Sequence, residues 1–266
     1  MKLISTILSV GVALAATLGA ANAADVYKRD RVTYTEPAAV ENDTWNGGYI
    51  GGLIGWNWLN ADGRSTFIDT QNGEPKEPWD DFPTSAAFDL DDNGLSGGVY
   101  IGADQQIGEK FVVGAIIDHT WMDLNVGLSA ERPADGVYDF SADVTGLGTA
   151  RLRAGYLVTP QDLIYVTGGV AWGIVDVASF QVHPEELGGV VGSDSDEDFQ
   201  IGWTVGAGYE TKALVKDWRF KIEYLYADLG EIESSFQFDT GPVTHTQTTE
   251  ADLTIHTVRV GVAYEF

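Results

Sequence analysis

Charged residues recur at every second position in several segments of the chain, and this spacing places them on one face of an extended strand. In the last segment, Arg259 and Glu265 lie on one face, while Val260, Val262 and Tyr264 lie on the other. The residues that follow this pattern are Asp104, Asp118, Arg151, Arg153, Glu210, Arg219, Lys221, Glu223, Arg259 and Glu265. Because the set contains both signs, it can form buried salt bridges or line a path for ions.

A second chemical signature is half of a calcium-binding loop. The segment Asp89-Leu90-Asp91-Asp92-Asn93-Gly94 fits the pattern D-x-D-x-N-G. The twelfth position of such a loop should be a bidentate carboxylate, but here it is Tyr100. The cluster Asp194-Ser195-Asp196-Glu197-Asp198 offers oxygen ligands without a fixed spacing. We therefore expect the segment from Asp89 to Gly94 to be an acidic turn that leads into a strand. We predict no metal site and no cofactor.

Catalysis would require groups that act together. The four histidines are His119, His183, His245 and His256, and none has a partner at a spacing typical of a catalytic triad or a metal site. Small barrel enzymes join their catalytic groups in space rather than in sequence, so this alternative stays open. The sequence favours a protein without enzymatic activity.

The elements that must position the charged residues are strands. From Trp45 onward, segments with a period of two are separated by stretches rich in Gly, Asp, Ser and Pro. The predicted strands are 47–59, 94–106, 110–123, 143–158, 163–177, 199–212, 217–229 and 251–266. Four connections are long, at 60–93, 124–142, 178–198 and 230–250, and the three between them are short. This alternation predicts an all-β, eight-stranded antiparallel up-and-down transmembrane β-barrel with four long extracellular loops.

Two observations place the charged face inside the barrel and the apolar face against lipid. The charged face is rich in glycine, and a narrow barrel needs small residues inside to make room for a few long ones. The aromatic residues of the apolar face form two belts, as expected at two membrane interfaces. One belt contains Phe111, Tyr156, Tyr209, Trp218, Tyr264 and Phe266, and the other contains Trp56, Trp58, Trp121, Trp172, Tyr224 and Tyr226. A soluble ligand-carrying barrel, the alternative, has no reason to sort its aromatic residues in this way.

The N-terminal residues indicate export. Lys2 precedes an apolar stretch that ends in Ala21-Asn22-Ala23, so residues 1–23 are predicted to be a secretory signal peptide. A membrane anchor is the alternative, but the apolar stretch is shorter than the roughly 20 residues that span hydrocarbon. Residues 24–44 show no periodicity and are predicted to be a periplasmic lead-in, and 45–266 form the barrel. The predicted location is the outer membrane of a Gram-negative bacterium.

The composition limits the partners. The chain has no cysteine, which excludes disulfides and thiolate metal sites. It has 40 acidic and 15 basic residues, and this balance argues against nucleic acid as a partner. Most of the acidic excess lies in the four predicted loops, where it can attract divalent cations and cationic partners. The alternative is that this charge only keeps the loops soluble, and the sequence favours that alternative.

Four segments resemble a known family. They are Trp45-Asn46-Gly47-Gly48-Tyr49-Ile50-Gly51, Arg151-Leu152-Arg153-Ala154-Gly155-Tyr156, the run 223–230 and the ending 256–266. Together they resemble the opacity-like, porin-like outer-membrane β-barrel proteins of alphaproteobacteria, which include surface antigens and haemin-binding proteins. The resemblance implies an eight-stranded barrel in the outer membrane. It also implies that the terminal Phe266, with Tyr264 before it, is the signal for the barrel-assembly machinery.

These observations favour a structural and surface protein that contributes to envelope integrity and surface contact. The expected partners are outer-membrane lipid, lipopolysaccharide, the barrel-assembly machinery and, as a further candidate, divalent cations. A small solute pore is an alternative, although the interior of an eight-stranded barrel is just wide enough for side chains to fill. Haemin binding, which the resemblance implies, is another. His183 and His245 are its candidate axial ligands, but the acidic surface would repel haem propionates.

Overall fold

The computed structural model describes residues 45–75, 85–132, 136–182, 190–240 and 243–266. The predicted signal peptide and lead-in lie outside these ranges. The strands are β1 Gly47–Gln71, β2 Glu74–Pro75, β3 Ser85–Ile107, β4 Phe111–Arg132, β5 Gly136–Thr159, β6 Asp162–Val182, β7 Val190–Thr211, β8 Trp218–Thr240 and β9 Val243–Glu265. Within the described ranges, no helix has the length and apolar character needed to cross a membrane.

The eight long strands form a closed ring. Each pairs antiparallel with the next along the chain, and β1 closes the ring by pairing with β9 over its whole length, from Tyr49↔Glu265 to Gln71↔Val243. The two-residue β2 only forms a hairpin with the end of β1. The predicted eight-stranded antiparallel up-and-down barrel is confirmed. Closure gives the backbone groups of the first and last strands a partner, which a strand edge in hydrocarbon would lack.

The strands are longer than the sequence predicted. β1 continues to Gln71 rather than ending at residue 59, and β3 begins at Ser85 rather than at 94. The period of two persists in this region, because Leu59 and Ala61 are buried while Asp62 is exposed. Much of the predicted loop sequence therefore extends the barrel wall by alternating an apolar inner face with a polar outer face. We call the extension the part of the barrel that begins at residue 59 of β1 and at the residues level with it on the other strands.

The calcium-loop segment belongs to this extension. Asp89, Asp91 and Asn93 lie on the outer face of β3, so the expected acidic turn is a strand. Asp92 faces inward, and its carboxylate accepts a hydrogen bond of 2.7 Å from the Asn125 backbone amide. Successive oxygen ligands on an extended strand cannot wrap around one ion as a calcium loop does.

The outer face of the barrel changes from apolar to polar along the strands whose side chains are described, as β1 shows. On β1, Ile50, Ile54, Trp56 and Trp58 are exposed, and the next outward residues are Asn60 and Asp62. The length of this apolar band along a strand is close to the roughly 9–11 residues that a tilted strand needs to cross a bilayer. Aromatic pairs border the band at both ends. The ring centroids of Phe111 and Tyr156, and of Trp218 and Tyr264, are 5.7 Å apart at the end with short turns, and those of Trp203 and Tyr226 are 5.3 Å apart at the other.

A charge on this band should hinder insertion. Val260 is 46% exposed and pairs with Ile54 and Ile222 in the middle of the band, so Val260→Asp should cost about 1–3 kcal/mol. Ile68→Asp is the matched control, because Ile68 is similarly exposed, at 51%, but lies in the extension. Urea titration of the protein folded into lipid vesicles measures both. Equal losses would mean that the band does not contact lipid.

Candidate functional site

The candidate site is the lumen, because charged residues converge there from six strands. All ten predicted charges face inward, and nine of them are buried. Glu265 is partly exposed at the end with short turns, which we call the mouth. They come from β3, β4, β5, β7, β8 and β9, and all except Lys221 form two clusters, which are described in turn.

The central cluster contains Asp118, Arg151, Glu223 and Arg259. Asp118 lies 2.6 Å from Arg151 Nη2 and 2.9 Å from Arg259 Nη1. Glu223 lies 3.0 Å from Arg151 Nη1 and 2.6 Å from Arg259 Nη2. The four side chains therefore form a ring in which each charge has two partners of opposite sign. The Thr149 hydroxyl donates to Asp118, which adds a neutral donor to the ring.

The mouth cluster contains Asp104, Arg153, Glu210, Arg219 and Glu265. Arg153 Nε donates to Asp104 at 2.8 Å, and its Nη1 lies 2.7 Å from Glu210. Arg219 pairs with Asp104, lies 3.3 Å from Glu210, and reaches Glu265 at 3.0 Å. The arginines thus bridge carboxylates of different strands, and they tie β3, β5, β7, β8 and β9 together across the lumen.

Two residues of the mouth were missed by the sequence reasoning. Lys212 lies 2.6 Å from Glu265, and the inward period of β7, which includes Glu210, could have identified it. Trp45 precedes β1, where no periodicity guides a prediction. It is fully buried, its indole Nε1 donates to the Pro160 carbonyl at 3.1 Å, and Lys212 and Arg219 lie over its ring. Trp45 therefore covers the lumen at the mouth.

Glycines on the inner face make room for these large side chains. A Cβ at Gly208 would lie 2.6 Å from the ring and hydroxyl of Tyr165, and a Cβ at Gly102 would lie 2.3 Å from the hydroxyl of Tyr49. Contacts of this length are too short for real carbon atoms, so each glycine accommodates an aromatic ring of a neighbouring strand. The guanidinium of Arg153 in turn lies 4.9 Å from the ring centre of Tyr165 and 5.3 Å from that of Tyr49. Such contacts stabilise a cation that has left water.

An apolar layer, which the sequence reasoning did not predict, closes the lumen above the charges. It lies in the extension and includes Leu59, Leu124, Val144, Val175, Leu229 and Leu253 from six strands, all buried. Between this apolar layer and the central cluster lies a layer of neutral polar residues. In that polar layer, the Thr257 hydroxyl donates to Asn57 at 2.8 Å. Five of the six apolar residues lie at the ends of predicted strands and Leu124 lies in a predicted loop, so the signal of the apolar layer is that the apolar inward positions continue across the predicted strand ends.

The other predicted residues lie apart from these clusters. Among the described residues, no three Asp, Glu, His or Cys side chains are grouped as metal ligands, and Tyr100 is buried in the lumen. His245 lies in β9, and its Nδ1 is 2.7 Å from Asp69 Oδ1, while His183 and the side chains of 194–198 lie outside the described part. His256 contacts the Tyr224 hydroxyl at 2.6 Å on the outer face.

The C-terminal residues lie at the seam between β1 and β9. The Phe266 amide donates to the Gly48 carbonyl at 3.0 Å. The Phe266 ring packs against Gly48 so closely that a Cβ on this glycine would lie 2.9 Å from the ring. The ring is 71% exposed, and Tyr264 is exposed on the same face. The proposed assembly signal is therefore accessible from the outside of the barrel.

Breaking the central cluster should destabilise the barrel. Arg259→Met leaves Asp118 and Glu223 buried with one partner fewer, which should cost on the order of 3 kcal/mol. Arg64→Met is the control, because Arg64 is exposed and makes a 3.4 Å contact with Ser85, so its loss should change stability by less than about 0.5 kcal/mol. Urea unfolding in detergent micelles measures both, and similar midpoints would contradict a structural role for the cluster.

Comparison with known proteins agrees with this architecture. The family model of the outer membrane protein beta-barrel domain matches residues 10–266. The 31 kDa outer-membrane immunogenic protein of Brucella melitensis is 32% identical over 252 residues, which cover 88% of this chain and 91% of the relative. The 25 kDa outer-membrane immunogenic protein of Brucella abortus is 23% identical, with both chains covered completely.

Among solved structures, the chain is similar to OprG from Pseudomonas aeruginosa, with a TM-score of 0.44 and 12% identity over 84% of this chain and 99% of OprG. It is also similar to Ail from Yersinia pestis, with a TM-score of 0.36 and 11% identity over 83% of this chain and 99% of Ail. The match of the family model to nearly the whole chain and the identity to the Brucella melitensis protein assign the family. The chain belongs to the outer-membrane proteins with a β-barrel domain, and its location is the outer membrane.

Proposed function

We propose that this protein is a sealed structural barrel that contributes to envelope integrity and presents a rigid surface outside the cell. The observation that carries the proposal is the filling of the lumen by two charged clusters and an apolar layer, with Trp45 across the mouth. The role that follows from a filled lumen is one of structure and contact rather than of transport. The names of the two Brucella relatives describe them as immunogenic, which supports the proposal of an exposed surface.

The sealed lumen disfavours the alternative of a small solute pore. An ion that crosses the barrel would have to separate paired charges such as Arg151 and Glu223, and then pass the buried Leu59, Leu124 and Leu253. An unpaired charge is costly in such an environment, and an apolar layer offers an ion no ligands. Wider barrels conduct because their lumen holds water.

Recording from single proteins in planar bilayers tests the proposal. We expect no steady conductance from the purified protein at either polarity. Leu59→Asp with Leu253→Asp is the comparison variant, since it places two charges in the apolar layer and should produce at least brief openings. Steady, ion-selective conductance of the unchanged protein would overturn the proposal in favour of a pore.

The outer surface of the extension supports the proposed contact with cations. Asp89, Asp62, Asp252 and Glu231 are exposed and lie directly opposite one another on β3, β1, β9 and β8. Like charges at facing positions destabilise a sheet, so bound or condensed cations stabilise this row. We include divalent cations among the proposed partners, together with the lipopolysaccharide that surrounds the barrel in the outer leaflet.

Calorimetric titration with calcium measures this contact. We expect a heat of association for the unchanged protein and a smaller one for Asp62→Asn, because the variant removes a charge from the row. Asp217→Asn, in the turn before β8 at the other end of the barrel, removes the same charge and should leave the heat unchanged. The same heat for all three proteins would exclude the row as the origin of calcium binding.

The remaining proposed partner is the barrel-assembly machinery. Phe266 and Tyr264 are accessible on the outer face, where a receptor for the unfolded or partly folded chain can contact them. After closure, the Phe266 ring lies on Gly48 of the first strand, so the same residue also contributes to the seam.

Removing Phe266 should leave the chain unassembled in the periplasm, as detected by surface labelling and by heat-modifiable gel mobility of the membrane fraction. Phe266→Tyr keeps an aromatic ring at the terminus and should assemble almost normally. Normal surface levels of the truncated chain would rule out the proposed role of the terminal residue.

A further inference from the structure

The buried charges of the lumen do not balance. The inward cations of the apolar band and mouth are Arg151, Arg153, Lys212, Arg219, Lys221 and Arg259, and the inward carboxylates are Asp104, Asp118, Glu210, Glu223 and Glu265. Lys212 and Glu265 pair with each other at the mouth. Whether or not this pair is included, the described residues leave one positive charge in excess.

The excess charge belongs to Lys221. Every arginine of the two clusters lies within ion-pair distance of at least two carboxylates. Lys221 lies 3.9 Å from its nearest carboxylate, Glu223, whose oxygens already accept hydrogen bonds from Arg151, Tyr165 and Arg259. Within the described part of the chain, the buried Lys221 Nζ has no hydrogen-bond partner.

The surroundings of Lys221 offer aromatic faces, but among the described residues no acceptor lies within hydrogen-bond distance of its Nζ. Its Nζ lies 3.8 Å from the centre of the Tyr100 ring, and the Tyr49 ring, 6.1 Å from that of Tyr100, carries a buried hydroxyl without a partner. Gly261 gives the lysine its space, because a Cβ there would lie 3.0 Å from Lys221 Cε. An aromatic face attracts a cation, but it neither neutralises the charge nor accepts three N–H bonds.

We propose that the lumen binds one small monovalent anion, of the size of a halide, in contact with Lys221 Nζ. Such an ion supplies the acceptor that the ammonium lacks and cancels the excess charge at the place where it is located. A water molecule would supply only the acceptor. The bound anion is a fixed part of the sealed interior and implies no conduction, so this inference does not depend on the proposed surface role.

Crystals of the full barrel grown in bromide test the proposal, because bromide scatters anomalously. We expect an anomalous peak within hydrogen-bonding distance of Lys221 Nζ. We expect the same peak in Lys212→Met, which removes a lysine from the mouth, and its loss in Lys221→Met, which balances the buried charges. The proposal would be overturned by a water at this position without an anomalous signal. It would also be overturned if bromide were found on exposed lysines only, because that result shows an adventitious ion only.

Thermal unfolding in detergent gives a second measurement that needs no crystal of a variant. Replacing gluconate by chloride at constant ionic strength should raise the midpoint for the unchanged protein and for Lys212→Met, but not for Lys221→Met. If chloride has no effect on the unchanged protein, or if the shift is the same in Lys221→Met, the ammonium does not bind an anion. If Lys221 is a neutral amine, it does not bind chloride, and one of these two contrary results is expected.

Discussion

Wherever the chain contacts hydrocarbon, its backbone N–H and C=O groups must form hydrogen bonds with each other, and the rest of the structure depends on this constraint. The pairing of β1 with β9 meets it by closing the sheet. Closure of only eight strands makes the lumen narrow, so the inner face has room for few large side chains and needs glycines such as Gly102 and Gly208 beside them. The ring of strands thus determines both which residues contact lipid and how the interior can be filled.

In the membrane region, the interior is filled by charged side chains together with buried apolar and aromatic ones such as Tyr49, Leu53 and Ile116. Each arginine contacts carboxylates from other strands, so the clusters specify how the strands face one another across the lumen as well as along the sheet. A buried ion pair adds little net stability compared with a well-packed apolar pair, but its geometry is demanding. In the extension, where water surrounds the wall, the interior changes to apolar packing around Leu59 and Leu253.

The sequence predicted those features that depend on a period of two. The alternation in β8 and β9 was sufficient to place Lys221 and Glu223 on one face and Val260 on the other, and the loop pattern predicted the number and direction of the strands. The strand ends were wrong because turn-forming residues such as Asp89 and Asn93 also occur on water-exposed strand faces. The role of Trp45 at the mouth could not be predicted, since its position is fixed by contacts with Pro160, Lys212 and Arg219, far away in sequence.

The extension separates two kinds of position that alternate along the same strand. Inward residues such as Leu124 and Leu253 are held by packing, whereas their outward neighbours, such as Asp123 and Asp252, are exposed to water. Substitutions at the outward positions leave the packing unchanged and are therefore cheap in stability. The water-exposed face of the extension can thus change in sequence while the barrel wall that carries it stays the same.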